Sequence, residues 1–140
     1  MSTALEVAIA AIQAKVKALE PTIRNAPDQP PENTSVYPFG ITYIRRVTYS
    51  QQTGTLRTGL HTAAVEIHVA RKDLSRDIVS AMPYGETLPV ALWNDLQLGG
   101  KIAHINAIRG TFGAMKWGDQ DTLGWDFEID FKMLNQGISQ

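Results

Sequence analysis

Three carboxylates recur at every second position near the end of the chain, at Asp126, Glu128 and Asp130, and a fourth, Glu66, stands two residues before His68. Side chains at i, i+2 and i+4 of a strand project from one face, so the first three would lie side by side. Shielded from water, their mutual repulsion would raise some of their pKa values. Carboxylates so placed serve glycoside hydrolysis or bind divalent cations. The plainer alternatives are a solvated outer face, or an electronegative surface that lines a passage or repels a polyanion. Glu66 and His68 would share a strand face and offer two metal ligands, short of the third that zinc needs, so they read as solvent-facing polar residues. His104, near Asn106, reads as a structural hydrogen-bonding residue.

No serine sits in a nucleophile elbow, His-Glu-x-x-His is absent, and no glycine-rich phosphate loop appears. Leu98-Gly99-Gly100-Lys101 lacks the earlier glycine of a phosphate loop and the hydroxyl residue after its lysine. Catalysis is therefore unsupported by any motif, and the residues name no catalytic group, cofactor or metal. Arg45, Arg46 and Arg57 offer subunit or phosphate contacts, but neighbours on a regular strand point to opposite faces, so Arg45 and Arg46 are not expected to form one patch.

The stretch that must position the acidic triplet spans residues 123–133. Leu123, Trp125, Phe127, Ile129, Phe131 and Met133 share one parity and the charged residues the other, which predicts a strand with one buried face. A one-residue slip would expose every one of those apolar side chains, each contributing roughly 1.5–3 kcal/mol when buried. Earlier in the chain, Leu5, Ile9, Ile12, Val16 and Leu19 form the apolar stripe of a helix that starts at a Thr3/Glu6 capping box and ends before Pro21. Residues 20–38, with five prolines, predict an extended surface connector or a partner-binding arm. Strands are predicted over 37–49 and 62–69, joined by a polar stretch longer than an ordinary hairpin loop: a flexible tip, an arm that orders against a neighbouring subunit, or, less simply, a lid.

Asp73 would cap a short helix over 73–82, which Pro83-Tyr84-Gly85 interrupts. Thr87 would cap a second helix over 87–96, with Leu88, Leu92 and Leu96 on one face and Pro89 in its first turn. A strand over 102–117, bent at Gly110 and Gly113, turns at residues 117–122 into the acidic strand. The simplest packing of this order is an α+β fold: a four-stranded, largely antiparallel sheet with helices packed on one face.

At 140 residues the chain suits a single domain, 1–140. A net charge of −1 argues against tight nonspecific nucleic-acid binding, and the absence of cysteine excludes disulfides, thiolate nucleophiles and cysteine metal sites. The apolar run over 4–12 contains Glu6 and follows no basic segment, which makes it a poor signal peptide, and no stretch approaches the roughly 20 apolar residues of a membrane span. A soluble protein that is not exported by the usual route is expected.

Taken as an ordered set, these pieces resemble the tail terminator (tail completion) proteins of long, noncontractile-tailed bacteriophages. The likeness lies in the N-terminal helix, the Pro-rich crossing, the hairpin ending in Glu66-Ile67-His68-Val69, the segment over 83–95, the Leu98-Gly99-Gly100 turn and the closing Thr122-Leu123-Gly124-Trp125 strand. The resemblance implies a virion structural protein, assembled in the host cytoplasm. It would form a homo-oligomeric ring, commonly a hexamer, on the end of the tail tube, stop tube polymerisation and provide the head-joining surface. Its partners would be further copies of itself, the tail tube protein and the head-neck connector protein. It implies no enzyme activity, no cofactor and no membrane, and DNA contact only by passage through the ring. The expected subunit or tube interface comprises Arg45, Arg46, Gln51, Gln52, Thr53, Thr55, Arg57 and His61. The acidic face of Asp126, Glu128 and Asp130 would meet a partner or the DNA passage. Another phage neck or minor tail protein, a monomeric ligand-binding domain and a small carboxylate-based enzyme stand as the alternatives.

Overall fold

The computed structural model describes residues 3–32, 34–51, 56–133 and 136–137. Among them the elements run α1 (Ala4–Lys17), β1 (Phe39–Gln51), β2 (Leu56–Ala70), α2 (Leu74–Ala81), α3 (Tyr84–Trp93), β3 (His104–Trp117), β4 (Gln120–Lys132) and the two-residue β5 (Gln136–Gly137). The strands form one sheet in the order β1-β2-β4-β3, antiparallel throughout, with β5 pairing the start of β2. This is the expected α+β architecture.

Strand β4 holds the predicted register. Leu123, Phe127, Ile129, Phe131 and Met133 are buried, with Trp125 partly so, and they face the helices together with Ala63, Val65 and Ile67 of β2. Helix α1 lays Ala8, Ile12 and Val16 on this layer, α3 adds Tyr84, Leu88 and Leu92, and α2 closes a smaller cluster of Ala81, Val69 and Leu123. All three helices therefore cover one face. The two-residue turn Gly118-Asp119 between β3 and β4 uses a positive φ of 57° at Gly118, a conformation glycine adopts without steric cost.

The helix ends differ from expectation in detail. Thr3 caps α1 by accepting from the Glu6 amide at 3.1 Å, but Glu6 takes the Thr3 hydroxyl instead of completing a capping box. Asp73 is the N-cap of α2 without a side-chain bond; Asp77 supplies the acceptor instead, for the amides of Lys72 and Asp73. The interruption expected at Pro83-Tyr84-Gly85 is present but shorter: α2 ends at Ala81, Met82-Pro83 form the turn with Pro83 as N-cap residue, and Tyr84 and Gly85 already belong to α3. Thr87 is thus inside the helix, not its cap, and Pro89 lies in the second turn, where it removes the amide that would bond Gly85. Leu96 is exposed, and Leu98 is buried in its place by a turn in which it adopts a φ of 49°.

Among its described residues the connector over 18–38 holds no helix or named strand. Asn25 exchanges backbone bonds with Pro38 (3.0 Å) and Gly40 (2.9 Å) at the β1 edge, and the Pro31 carbonyl accepts from the Trp117 indole (2.9 Å) at the end of β3. The hairpin also differs from expectation: β1 and β2 pair as far as Gln51↔Arg57, so most of the polar stretch is ladder, and residues 52–55 lie outside the described residues.

Gly85 seats α3 directly on Trp125: a Cβ there would stand 2.4 Å from the indole ring. That ring is pinned by its bond to the Ala81 carbonyl (2.9 Å) and by stacking on Phe127. Gly85→Ala gains about 1 kcal/mol in helix propensity. Overpacking costs about 1–3 kcal/mol, more when the neighbour cannot yield. Net destabilisation is the expected outcome, read by urea unfolding and tryptophan fluorescence; a stabilised variant would show that the ring moves freely.

Candidate functional site

The face of the sheet turned away from the helices carries the residues of chemical interest. Asp126, Glu128 and Asp130 lie there side by side on β4, as their parity requires, yet they do not form an acidic face. Arg45 of β1 reaches Asp126 (3.2 Å) and Glu128 (3.3 Å), and Arg109 of β3 binds Asp130 through two nitrogens (2.8 and 3.0 Å) and approaches Glu128 (3.5 Å). Thr62 donates a further bond to Asp130 (2.8 Å). The triplet is charge-compensated, which does not fit the electronegative surface that stood among the alternatives. Arg109 was not visible as a partner in the sequence, because only the register Arg109↔Glu128 brings it there.

A β-bulge corrects the expectation for the two adjacent arginines. The β1/β2 register skips a residue between Ile44 and Arg46, so Arg46 pairs with Thr62 and joins Arg45 on this face, where its charge acts on Asp130. A bulge inserts one residue and rotates everything beyond it. It likewise turns Val47 towards the face of His61, away from Tyr43.

Glu66 and His68 are not solvent-facing either. His68 is wholly buried, with its ring 5.7 Å from both Phe39 and Trp117. Its Nε2 lies 2.9 Å from Glu66 Oε1 and its Nδ1 2.6 Å from the buried Thr122 hydroxyl. An ionised carboxylate only accepts, so Nε2 carries the proton, and in the neutral ring Nδ1 accepts from Thr122. Tyr43 donates its hydroxyl to Glu66 and receives a bond from Arg45 (3.1 Å), which joins the histidine to the arginine–carboxylate lattice. Hydroxyl, imidazole and carboxylate stand in the order of a nucleophilic triad. Thr122 is nevertheless fully buried, so no substrate reaches it, and the arrangement acts as a structural relay.

The electrostatics follow from these partners. Burial of Glu66 pushes its carboxyl up, but the bonds from His68 and Tyr43 outweigh that and hold it below the usual range. The Arg109 guanidinium holds Asp130 low against its burial. Burial and the Glu66 carboxylate raise the Tyr43 phenol to about 12. Burial works against the Arg45 charge, and its bonds to Tyr43, Asp126 and Glu128 more than restore it. Held ionised, Glu66 and Asp130 are unsuited to act as general acids near neutral pH.

The expected interface residues divide. Arg45 and Arg46 sit in the sheet, Gln51 and Arg57 are paired in the ladder, and Gln52, Thr53 and Thr55 lie outside the described residues. His61 is no part of an exposed tip: it is 1% exposed, on the helix side of β2, edge-on to Phe131 at 5.7 Å. His104 is exposed. Among the described residues no group of three or more His, Asp or Glu is placed to hold a metal ion, and no helix is long and apolar enough to cross a membrane. No family model matches the sequence, and no curated protein matches it.

Two pH effects are expected. Glu66 and Asp130 titrate below their unfolded values, so the stability they add is complete above about pH 5 and is lost as the pH falls through their folded values. Arg109→Ala should cost ~0.5–1 kcal/mol at about pH 7 and progressively less at about pH 2–3 in urea unfolding; a cost independent of pH would contradict the pairing. Burial lowers the His61 imidazole, overriding the bond at Leu60 that raises it. The unfolded ring takes up a proton below about pH 6.5 that the folded one refuses, so stability declines there by at most ~1.4 kcal/mol per pH unit. His61→Leu should flatten that slope, and an unchanged slope would assign it to another group.

Proposed function

We propose that this chain is a structural assembly protein of a long, noncontractile bacteriophage tail. In this reading it forms a homo-oligomeric ring on the end of the tail tube, six copies in the family it resembles. The ring stops tube polymerisation and offers the surface to which the head's connector protein joins. Such termination is a binding event: the ring must fit the growing end of the tube without presenting the same end on its far side, and it needs no bond-making chemistry.

The observation that carries the reading is the β1–β2 hairpin. Pairing with β4 stops at Leu60↔Lys132, whereas β1 and β2 continue together to Gln51↔Arg57, roughly 10 Å further at the rise of a strand. Among the described residues this extension meets only the Met133 amide, which donates to the Gly59 carbonyl (3.0 Å), and the two-residue β5. At its base Val47 and Leu60 stand 43% and 45% exposed on opposite faces. A two-stranded ribbon that leaves its sheet gains stability from what it meets. The compensated lattice on the outer face also suits a passage better than bare acid would, since it attracts DNA and repels it in comparable measure.

The decisive assay adds the protein to polymerising tail tubes. Shortened tubes with an annular density at one end are expected in electron micrographs. Unaltered tube lengths with bare ends would defeat the proposal.

A further inference from the structure

A groove of about 360 Å³ lies between the C-terminal end of α1 and the outer side of α3. Leu19, Val90 and Ala91 give it an apolar lining, with Val90 48% exposed. Glu20 and Glu86 add two solvent-exposed carboxylates, neither of them in an ion pair among the described residues. Thr87 Oγ1 is buried there with no hydrogen-bond partner. An apolar channel flanked by two unpaired carboxylates fits an apolar side chain accompanied by a cation.

The chain carries such a pair. Arg46 and Leu60 are both exposed on the outer face of the β1–β2 hairpin. The registers Arg46↔Thr62 and Thr48↔Leu60 make them diagonal neighbours, roughly 7–8 Å apart between backbones. Arg46 is in no ion pair among the described residues, unlike Arg45 and Arg109, although its charge acts on Asp130. Within one molecule the pair cannot reach the groove. Val16, just before the groove, packs against Gly40 at the start of β1, and the pair sits six residues further along that strand, roughly 20 Å away.

We propose that the groove between α1 and α3 of one copy receives the Arg46/Leu60 face of the next copy's hairpin. Leu60 packs against Leu19, Val90 and Ala91, and Arg46 pairs with Glu20 and Glu86. The contact joins two different surfaces, so it propagates head to tail and closes into a ring when the rotation between copies allows. It rests on the assembly reading above and specifies which surfaces meet.

The absence of cysteine makes the test clean. Leu60→Cys together with Val90→Cys in the full chain should give, on mild oxidation, a ladder of disulfide-linked copies in denaturing electrophoresis, and either change alone should not. Arg46→Glu should weaken self-association in sedimentation by about tenfold or more, and Glu20→Arg with Glu86→Arg in the same chain should restore it. Circular dichroism of each variant confirms that the fold is kept. Copies that assemble without the cross-link, and without response to charge reversal, would overturn this contact and leave the ring standing. Copies that stay monomeric both in solution and beside tail tubes would overturn the contact and the ring together. A disulfide formed within a monomer would overturn the contact by showing that hairpin and groove meet in one molecule.

Discussion

Strand β4 is hydrogen-bonded on both sides along nearly its whole length, to β2 and to β3, and it cannot slip. One row of its side chains, Leu123, Phe127, Ile129 and Phe131, is the surface on which the helices rest, and shifting it by one residue would place Asp126, Glu128 and Asp130 in that core. The desolvation of three unpaired carboxylates would cost far more than any local gain. The other row is thereby committed to the opposite face, and the flanking strands have to accommodate three adjacent negative charges there.

They do so with arginines from either side, and the geometry on the β1 side is demanding because β2 intervenes. Tyr43, Ala64 and Glu128 stand in one cross-strand row, so Arg45 must extend over β2 to reach Glu128 and Asp126. Ala64, fully buried and short, leaves that path open. The bulge adds to this by giving β1 one extra residue at the point where a cation is needed, so that Arg45 and Arg46 both face the acidic row. Specific pairing of this sort contributes modestly to stability at a partly exposed surface, but it fixes which strand lies beside which.

Period-two and helical patterns made the sheet, the buried row of β4, the stripe of α1 and the antiparallel order legible, since each depends on local spacing alone. The remainder depends on register between distant segments. Arg109 becomes the partner of Asp130 only through the β3/β4 ladder, and His68 becomes buried only because Phe39, Trp117 and the connector converge over it. A bulge has no composition signal at Arg45, so two adjacent arginines read as opposed when they share a face. Pro83 and Pro89 read as a break and a first turn because proline favours helix starts, whereas the burial of Tyr84 extends α3 one turn earlier.

The two edges of the sheet bear on whether a further strand can add to it. Beyond the Asn25 bridge, β1 presents an outer edge with no ladder partner among the described residues, and so does β3 along its length. Open edges of this length invite indefinite strand addition. Each is interrupted by a bulge, at Arg45 in β1 and at Asn106 in β3, and each carries charged side chains near it. A bulge breaks the regular spacing of donors and acceptors that a ladder needs, so neither edge is a good template for another strand. On the proposed assembly reading, association between copies would then be left to side-chain surfaces. The ring proposed above would need that restriction, since a closed ring of defined size must not itself grow into a fibre.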